Sequence, residues 1–330
     1  MRRLLLCLLL ALLLAPASAR AGGVTAFYYP WYGTPGADGA FQHWQQRDSV
    51  PPFSIASNFW PARGIYSSSS RAILGAQMRE IRGAGIATIA VSWWGRGSPE
   101  DGRLPDVIRA AQAQRLNVAV HLEPYGGRTV ASTAADVAYL HALGIWTFYL
   151  YQPFEEPAAD WAPLNDALAL SGVRVLAQTG LVGQAVEGHF AGLYTYDIVT
   201  YGGDTFSRIC GQARTAGLLC VPSVGPGYDA RRASGDQRVK QRRRGATYDA
   251  MWQSAIAAGA DAVTITSYNE WHEGTQIEPA ATHLGYESYD GAFGISGALA
   301  PAAYLLRTAT WAGLWDDCRE LRRGHGPLAL

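Results

Sequence analysis

Lysine is almost missing from this chain: Lys240 is its one lysine, and the other basic residues are arginines. The 27 basic residues are cancelled by 27 acidic ones, so the formal net charge is zero. A nucleic-acid groove or an anionic membrane selects for an excess of positive charge, so neither partner has electrostatic support. Abundant alanine and the arginine bias read together as the coding habit of a GC-rich genome and carry no mechanism. Cysteine is scarce as well, at four residues. Cys7 lies in an apolar N-terminal run, and Cys210, Cys220 and Cys318 are too widely spaced for a zinc signature. Cys210 and Cys220 are the nearest pair for a disulfide, which leaves one thiol over. A phosphate-cradling glycine loop and a Gly-x-Ser-x-Gly elbow are both absent, which removes support for nucleotide and serine-hydrolase chemistry.

Long hydrophobic runs are also lacking, with one exception. Arg2 and Arg3 precede an apolar stretch from Leu4 to Leu14, followed by Ala15-Pro-Ala-Ser-Ala19. That order is a secretory signal, too short to span a bilayer comfortably, and Cys7 has no lipid-attachment setting. Residues 1–21 are therefore expected to be a cleaved signal peptide, with cleavage after Ala19 or Ala21. The protein is expected to be exported, periplasmic or extracellular, without stable membrane insertion. Residues 22–330 are expected to form a single domain.

What is present repeats. Short β-rich runs occur at Val24–Tyr29, Ala87–Ser92, Asn117–Leu122, Trp146–Tyr151, Arg174–Gln178, Tyr196–Thr200, Leu218–Ser223 and Ala262–Thr266. Between them, Ser70–Ala84, Pro105–Arg115, Thr133–Leu143, Asp204–Ala216 and Thr247–Ala258 carry apolar residues at helical spacing. Alternation of this kind predicts an α/β fold, a (β/α)8 TIM barrel, whose chemistry sits on loops at the C-terminal ends of the strands. Rings and acids gather there: Tyr29, Trp31 and Tyr32 after the first strand, Trp93 and Trp94 after the second, His121 and Glu123 at the third, Tyr228 after the seventh. The densest group follows the eighth, where Ser267-Tyr-Asn-Glu270-Trp-His-Glu273-Gly-Thr-Gln-Ile-Glu278 places three carboxylates and a histidine within nine residues.

Acids interleaved with flat rings suit cleavage of a sugar: carboxyl groups move protons or attack, and rings stack on the apolar faces of a pyranose. Glu270 and Glu273 can face one substrate only if the chain leaves the strand for a turn, because residues three apart in a strand point to opposite faces. Gly274 suggests that it does. An acidic surface loop is the plain alternative, and Glu278 reads more readily as structural than as a third catalytic acid. His272-Glu273 begins a zincin-like motif, but Gln276 stands where the second histidine belongs, so no metal cofactor is expected. Glu123 reads as an acceptor for a sugar hydroxyl, with an ion pair to an arginine as the alternative. The arginine-rich stretch from Arg231 to Arg244 reads as a solvated loop running into a helix, or else as a site for an anionic glycan.

The segments Phe27 to Gly33, His43-Trp44, Ile55 to Pro61 with Tyr66 to Ser68, Ser92 to Trp94, His121 to Tyr125, Pro222 to Tyr228 and Ser267 to Glu278 resemble, in order, glycoside hydrolase family 99. This is the family of endo-α-1,2-mannosidases and endo-α-1,2-mannanases, and it carries expectations beyond the residues themselves. The resemblance implies a retaining, metal-free enzyme that cuts inside mannose-containing glycans. Glu273 would be the general acid and base, and Glu270 the base that takes the proton of the sugar's own 2-hydroxyl, forming a 1,2-anhydro sugar. Tyr29, His43, Trp94, Glu123, Tyr228, Trp271 and His272 would contact substrate, with tryptophan at position 94 leaning towards mannose in the neighbouring subsite. The family's Arg-Pro-Trp-Asn stretch after Gly-Pro-Gly-Tyr is replaced here by Asp229 and the arginine run. A silent glycan-binding barrel and an endo-α-glucanase are the alternatives.

Overall fold

The computed structural model describes residues 23–324, so the expected signal segment lies outside the described residues. Eight parallel strands close into a barrel: β1 (Val24–Tyr28), β2 (Thr88–Trp93), β3 (Asn117–Leu122), β4 (Thr147–Leu150), β5 (Arg174–Gln178), β6 (Gly192–Tyr194), β7 (Leu219–Val221 continued as Ser223–Val224) and β8 (Val263–Ile265). Pro222 divides β7 because it has no N–H to give the ladder. The first piece pairs with β6 (Leu193 opposite Cys220) and the second with β8 (Ser223 opposite Thr264), while Val263 pairs with Val24 and completes the circle.

Helices fill the crossovers as α1 (Arg71–Gly83), α2 (Pro99–Ala113), α3 (Val130–Ala142), α4 (Ala162–Leu170), α5 (Val182–Glu187), α6 (Gly203–Thr215) and α7 (Ala246–Ala257), and α8 (Ala303–Gly324) closes the described chain. None of these helices is long and apolar enough to cross a membrane. Ser70 caps α1 by accepting the N–H of Ile73. Helix α2 starts six residues before the expected Pro105, because Ser98 accepts the N–H of Asp101 and Pro99 presets the first turn.

The sixth strand is the clearest correction. It runs over Gly192–Tyr194, not Tyr196–Thr200. Asp197 accepts the backbone N–H groups of Val199 and Thr200 and turns the chain away from the ladder. Gly192 reads as a strand breaker, yet a Cβ there would stand 2.5 Å from Leu219, so only glycine permits this strand pair.

Strand alternation sorts the side chains into two cores. Phe27, Tyr29, Ala90, Ala119, Tyr149, Leu176, Tyr194, Tyr196 and Val221 fill the barrel interior. Tyr28, Trp93, Val120 and Leu122 belong to the larger core outside that interior, where Tyr28 donates its hydroxyl to Gln77 of α1. Tyr29 is thus the inward residue of its pair. A disulfide joins Cys210 of α6 to Cys220 of β7, and Cys318 is free.

Candidate active site

The chain leaves β8 as a loop that folds back on itself. Ser267 donates its N–H to Thr275 O (2.9 Å) and accepts from Ile277 N (3.0 Å), while the Ser267 and Thr275 hydroxyls meet at 2.9 Å. A turn from Trp271 to Gly274 sits within this clasp, closed by Gly274 N–H to Trp271 O at 3.3 Å. Gly274 takes φ of +61°, a left-handed conformation that favours glycine. The turn brings Glu270 and Glu273 into one electrostatic neighbourhood. Asn269 fixes the loop against β1: its Oδ1 accepts Tyr29 N–H at 2.7 Å and its Nδ2 donates to Tyr29 O at 2.9 Å. Tyr32 adds a second tie, donating its hydroxyl to Asn269 O and accepting Trp271 N–H, both at 3.0 Å.

Glu270 is buried, and burial together with the charge of Glu273 drives its carboxyl well above the usual carboxylate range. The backbone N–H groups of His272 (2.9 Å) and Glu273 pull the other way by favouring the ionised form. Glu273 is pushed up to about 7, chiefly by burial, with Asp197 and Glu123 adding to the rise. The phenol of Tyr196 donates to Glu273 Oε2 at 3.2 Å and is itself hydrogen-bonded to the phenol of Tyr29. Neither nearby imidazole brings a positive charge, since burial lowers His272 to about 4 and His43 to about 3. Two interacting carboxyls of this kind titrate as a unit and retain a proton near neutral pH.

Of the other expected contacts, Glu123 lies inward at the end of β3, where it accepts the Ser92 hydroxyl at 2.7 Å. His121 Nδ1 is 3.0 Å from the same oxygen without the alignment of a hydrogen bond, and its Nε2 meets Tyr194 OH at 2.9 Å. Among the described residues no arginine forms an ion pair with Glu123. His43 stacks on Trp31 with ring centroids 4.4 Å apart, and His272 Nε2 reaches the His43 carbonyl. Trp94 is 37 % exposed at the rim, whereas Trp93 is buried and bonds Asp101. Tyr228 is half-buried and, with Tyr151, Tyr196, Asp197, Arg238 and Glu273, lines a cavity of about 30 Å³.

Trp271 departs from expectation. Its ring is fully buried, and its indole N–H donates to Glu278 at 2.8 Å, so it has no face left for a sugar. Glu278 occupies the same buried layer, held by Arg63 (2.8 Å), Gln77 (2.8 Å) and Tyr66 (2.8 Å). Burial raises this carboxyl although Arg63 pulls it down, and those four partners give it a structural place. The arginine run is not merely a solvated loop. Tyr228–Asp229 and Val239–Lys240 form a hairpin, and Arg242 is held among the rings of Phe59, Tyr289 and Tyr304 while donating to the carbonyls of Gly274 and Gln276. Arg231 pairs with Asp229, and Arg238 with Asp197 and Asp236. Ion pairs thus take up Arg231 and Arg238, while Arg232 and Arg242 are spent on backbone carbonyls.

The sequence reading did not single out Tyr196, Asp197 or Asn269. Tyr196 and Asp197 lie in the stretch that reads as a sixth strand, and Asn269, inside the acidic motif, has no charge to mark it. Among the described residues no group of three or more His, Cys, Asp or Glu side chains could hold a metal ion. A larger cavity, about 290 Å³, opens at the opposite mouth of the barrel around Thr25, Asn117 and Asp261, remote from these acids.

The model of glycosyl hydrolase family 99 matches residues 21–316. The chain is 30 % identical to a glycoprotein endo-α-1,2-mannosidase of Rattus norvegicus over 88 % of its own length and 74 % of the relative's. It is 29 % identical to the protein of that name from Xenopus laevis, over 80 % and 72 % respectively. Its fold superposes on the family 99 endo-α-mannosidase of Bacteroides thetaiotaomicron with a TM-score of 0.80 at 28 % identity, covering 90 % of this chain and 98 % of that one.

Proposed function

The chain belongs to glycosyl hydrolase family 99 and is a glycoside hydrolase; from that premise we propose that it is an endo-acting α-mannosidase that cleaves internal α-1,2-mannosidic bonds with retention. The observation that carries the reading is the pair of buried Glu270 and half-buried Glu273 at the C-terminal mouth of the barrel, flanked by the Tyr29–Tyr196 phenols and by Glu123. In the first step Glu270 takes the proton of the 2-hydroxyl, O2 attacks C1, and Glu273 protonates the departing glycosidic oxygen as the C1–O bond breaks. The product is a 1,2-anhydro sugar. In the second step Glu273 takes a proton from water, the water oxygen attacks C1, and O2 recovers its proton from Glu270 as the three-membered ring opens. Two inversions leave the configuration retained.

The division of roles is taken from the family resemblance. Both carboxyls are raised: Glu270 by burial and the charge of Glu273, against the pull of two backbone N–H groups, and Glu273 to about 7, which keeps an acid loaded near neutrality. Trp94 keeps an exposed face just after β2, and tryptophan at that position is what the family resemblance associates with mannose. The Cys210–Cys220 disulfide, together with the N-terminal apolar run, supports export from the cytoplasm.

The test is incubation with an α-1,2-linked manno-oligosaccharide and analysis of the products. Internal cleavage with retained configuration is expected, and Glu270→Gln and Glu273→Gln should each abolish it without loss of fold. Binding with no cleavage by the unmodified protein would instead identify a silent glycan-binding barrel. Cleavage of α-glucan in preference to mannan would overturn the choice of sugar.

A further inference from the structure

The surroundings of Glu273 contain one opposed pair of charges. From its own turn comes Glu270, from the end of β3 Glu123, from the end of β4 Tyr151, from β1 Tyr29, and from the segment after β6 Tyr196 and Asp197. The hairpin contributes Tyr228, Asp236 and Arg238. Asp197 and Glu123 oppose ionisation of Glu273, and Arg238 works the other way. Arg238 Nη1 donates to Asp197 Oδ2 at 2.9 Å, and its Nε and Nη2 donate to Asp236 Oδ2 at 2.9 and 2.7 Å. Tyr228 donates its hydroxyl to the same Asp236 oxygen at 2.8 Å.

Both partners are fixed relative to Glu273. Asp197 follows Tyr196, the phenol that touches Glu273, and is held by two backbone N–H groups. The hairpin is attached to Glu273 itself, because Asp229 N–H donates to the Glu273 carbonyl at 2.8 Å. Both Asp197 and Arg238 line the small cavity that Glu273 opens onto, which has room for a water molecule.

We propose that Asp197 and Arg238 are positioning residues of opposite sign for Glu273, which together set the pH above which Glu273 can no longer donate its proton. The proposal rests on reading Glu273 as the acid and base. Asp197 holds the proton on, Arg238 releases it, and their ion pair keeps either effect from dominating. Because Arg238 is half exposed, water screens its share.

The experiment compares the pH dependence of kcat/KM on an α-1,2-linked manno-oligosaccharide, at low ionic strength, for the unmodified enzyme, Arg238→Met, Asp197→Asn and the double variant. The basic limb should move up by about half a pH unit in Arg238→Met and down by a similar amount in Asp197→Asn. It should return near its original place in the double variant. Arg238→Lys, which keeps the charge and loses the planar fork, should leave the limb in place. A structural role alone would lower rates without moving the limb, and would leave the double variant no better than the singles. Limbs that stay still, or that both move in one direction, overturn the proposal. If Glu273→Gln retains activity and its basic limb, the acid–base reading itself fails. If Glu273→Gln is inactive while the limbs of the other variants do not move, only the pairing falls.

Discussion

Replacing Glu273 by Gln should destroy turnover and stabilise the protein at alkaline pH. The carboxyl is raised from an ordinary value of 4.5 to about 7 in the folded state. Between those two pH values the folded chain holds a proton that the unfolded chain has released, so stability falls as pH rises through the window. Above pH 7 the full difference of about 2.5 units corresponds to about 3 kcal/mol, which partial access to solvent reduces to about 1 to 3 kcal/mol. Glutamine has nearly the same shape, still accepts the Tyr196 hydroxyl, and carries no charge to desolvate. The variant should therefore be more stable than the unmodified protein at pH 8 by that amount, and the two should converge at pH 4.5 and below. The assay is urea denaturation followed at pH 4.5, 6, 7 and 8, with the midpoint converted to free energy. A difference independent of pH, or a variant less stable at pH 8, would refute the claim that Glu273 is held in an environment hostile to its charge. Removing the charge should also let Glu270 ionise more readily, so the gain includes relief of the pair repulsion and exceeds what burial of Glu273 alone supplies.

Glu278→Gln should have the opposite effect. It leaves Arg63 facing a neutral amide in a buried layer, and Arg63 keeps only the pair with Glu80 at 2.6 Å, so a loss of about 2 to 3 kcal/mol is expected in urea denaturation. A loss below about 0.5 kcal/mol would mean that the ion pair is not structural. Reducing the Cys210–Cys220 disulfide, which spans a sequence separation of 10 residues, should cost about 3 kcal/mol by chain entropy, read as a lower urea midpoint; an unchanged midpoint would refute it.

The barrel was legible where local pattern and tertiary role agree. Asn117–Leu122 and Arg174–Gln178 run between the expected bounds because each is a β-rich segment ended by turn residues or a proline. The sixth strand was not, because its cause is not local. Gly192 is needed by its neighbour Leu219, and the β-rich look of Tyr196–Thr200 is overridden by one aspartate bonding its own backbone. Within the site, Glu270 and Glu273 stand out in the sequence as acids beside rings, whereas Tyr196, Asp197 and Asn269 carry no such local mark. Trp271 shows the limit of reading rings by proximity to acids, since loop geometry turns its indole into the protein towards Glu278.

Three carboxylates leave β8 in nine residues, and what separates their roles is the kind of partner each one finds. Glu278 is met by a guanidinium, an amide, a phenol and an indole N–H, a set that saturates its oxygens and ties it to α1 and to the loop before that helix. A carboxylate paired in that way has no lone pair left for a substrate. Glu270 and Glu273 are met by backbone N–H groups and one phenol, donors that orient an oxygen without neutralising it. Their charge therefore stays costly, and that cost keeps a proton near each of them at neutral pH, as proton transfer in both directions requires. Arg238, the guanidinium that acts on Glu273, is shared with Asp197 and Asp236 and so moderates Glu273 without capturing it. Moving a full cation into direct contact with Glu273 would give a more stable protein and a poorer acid.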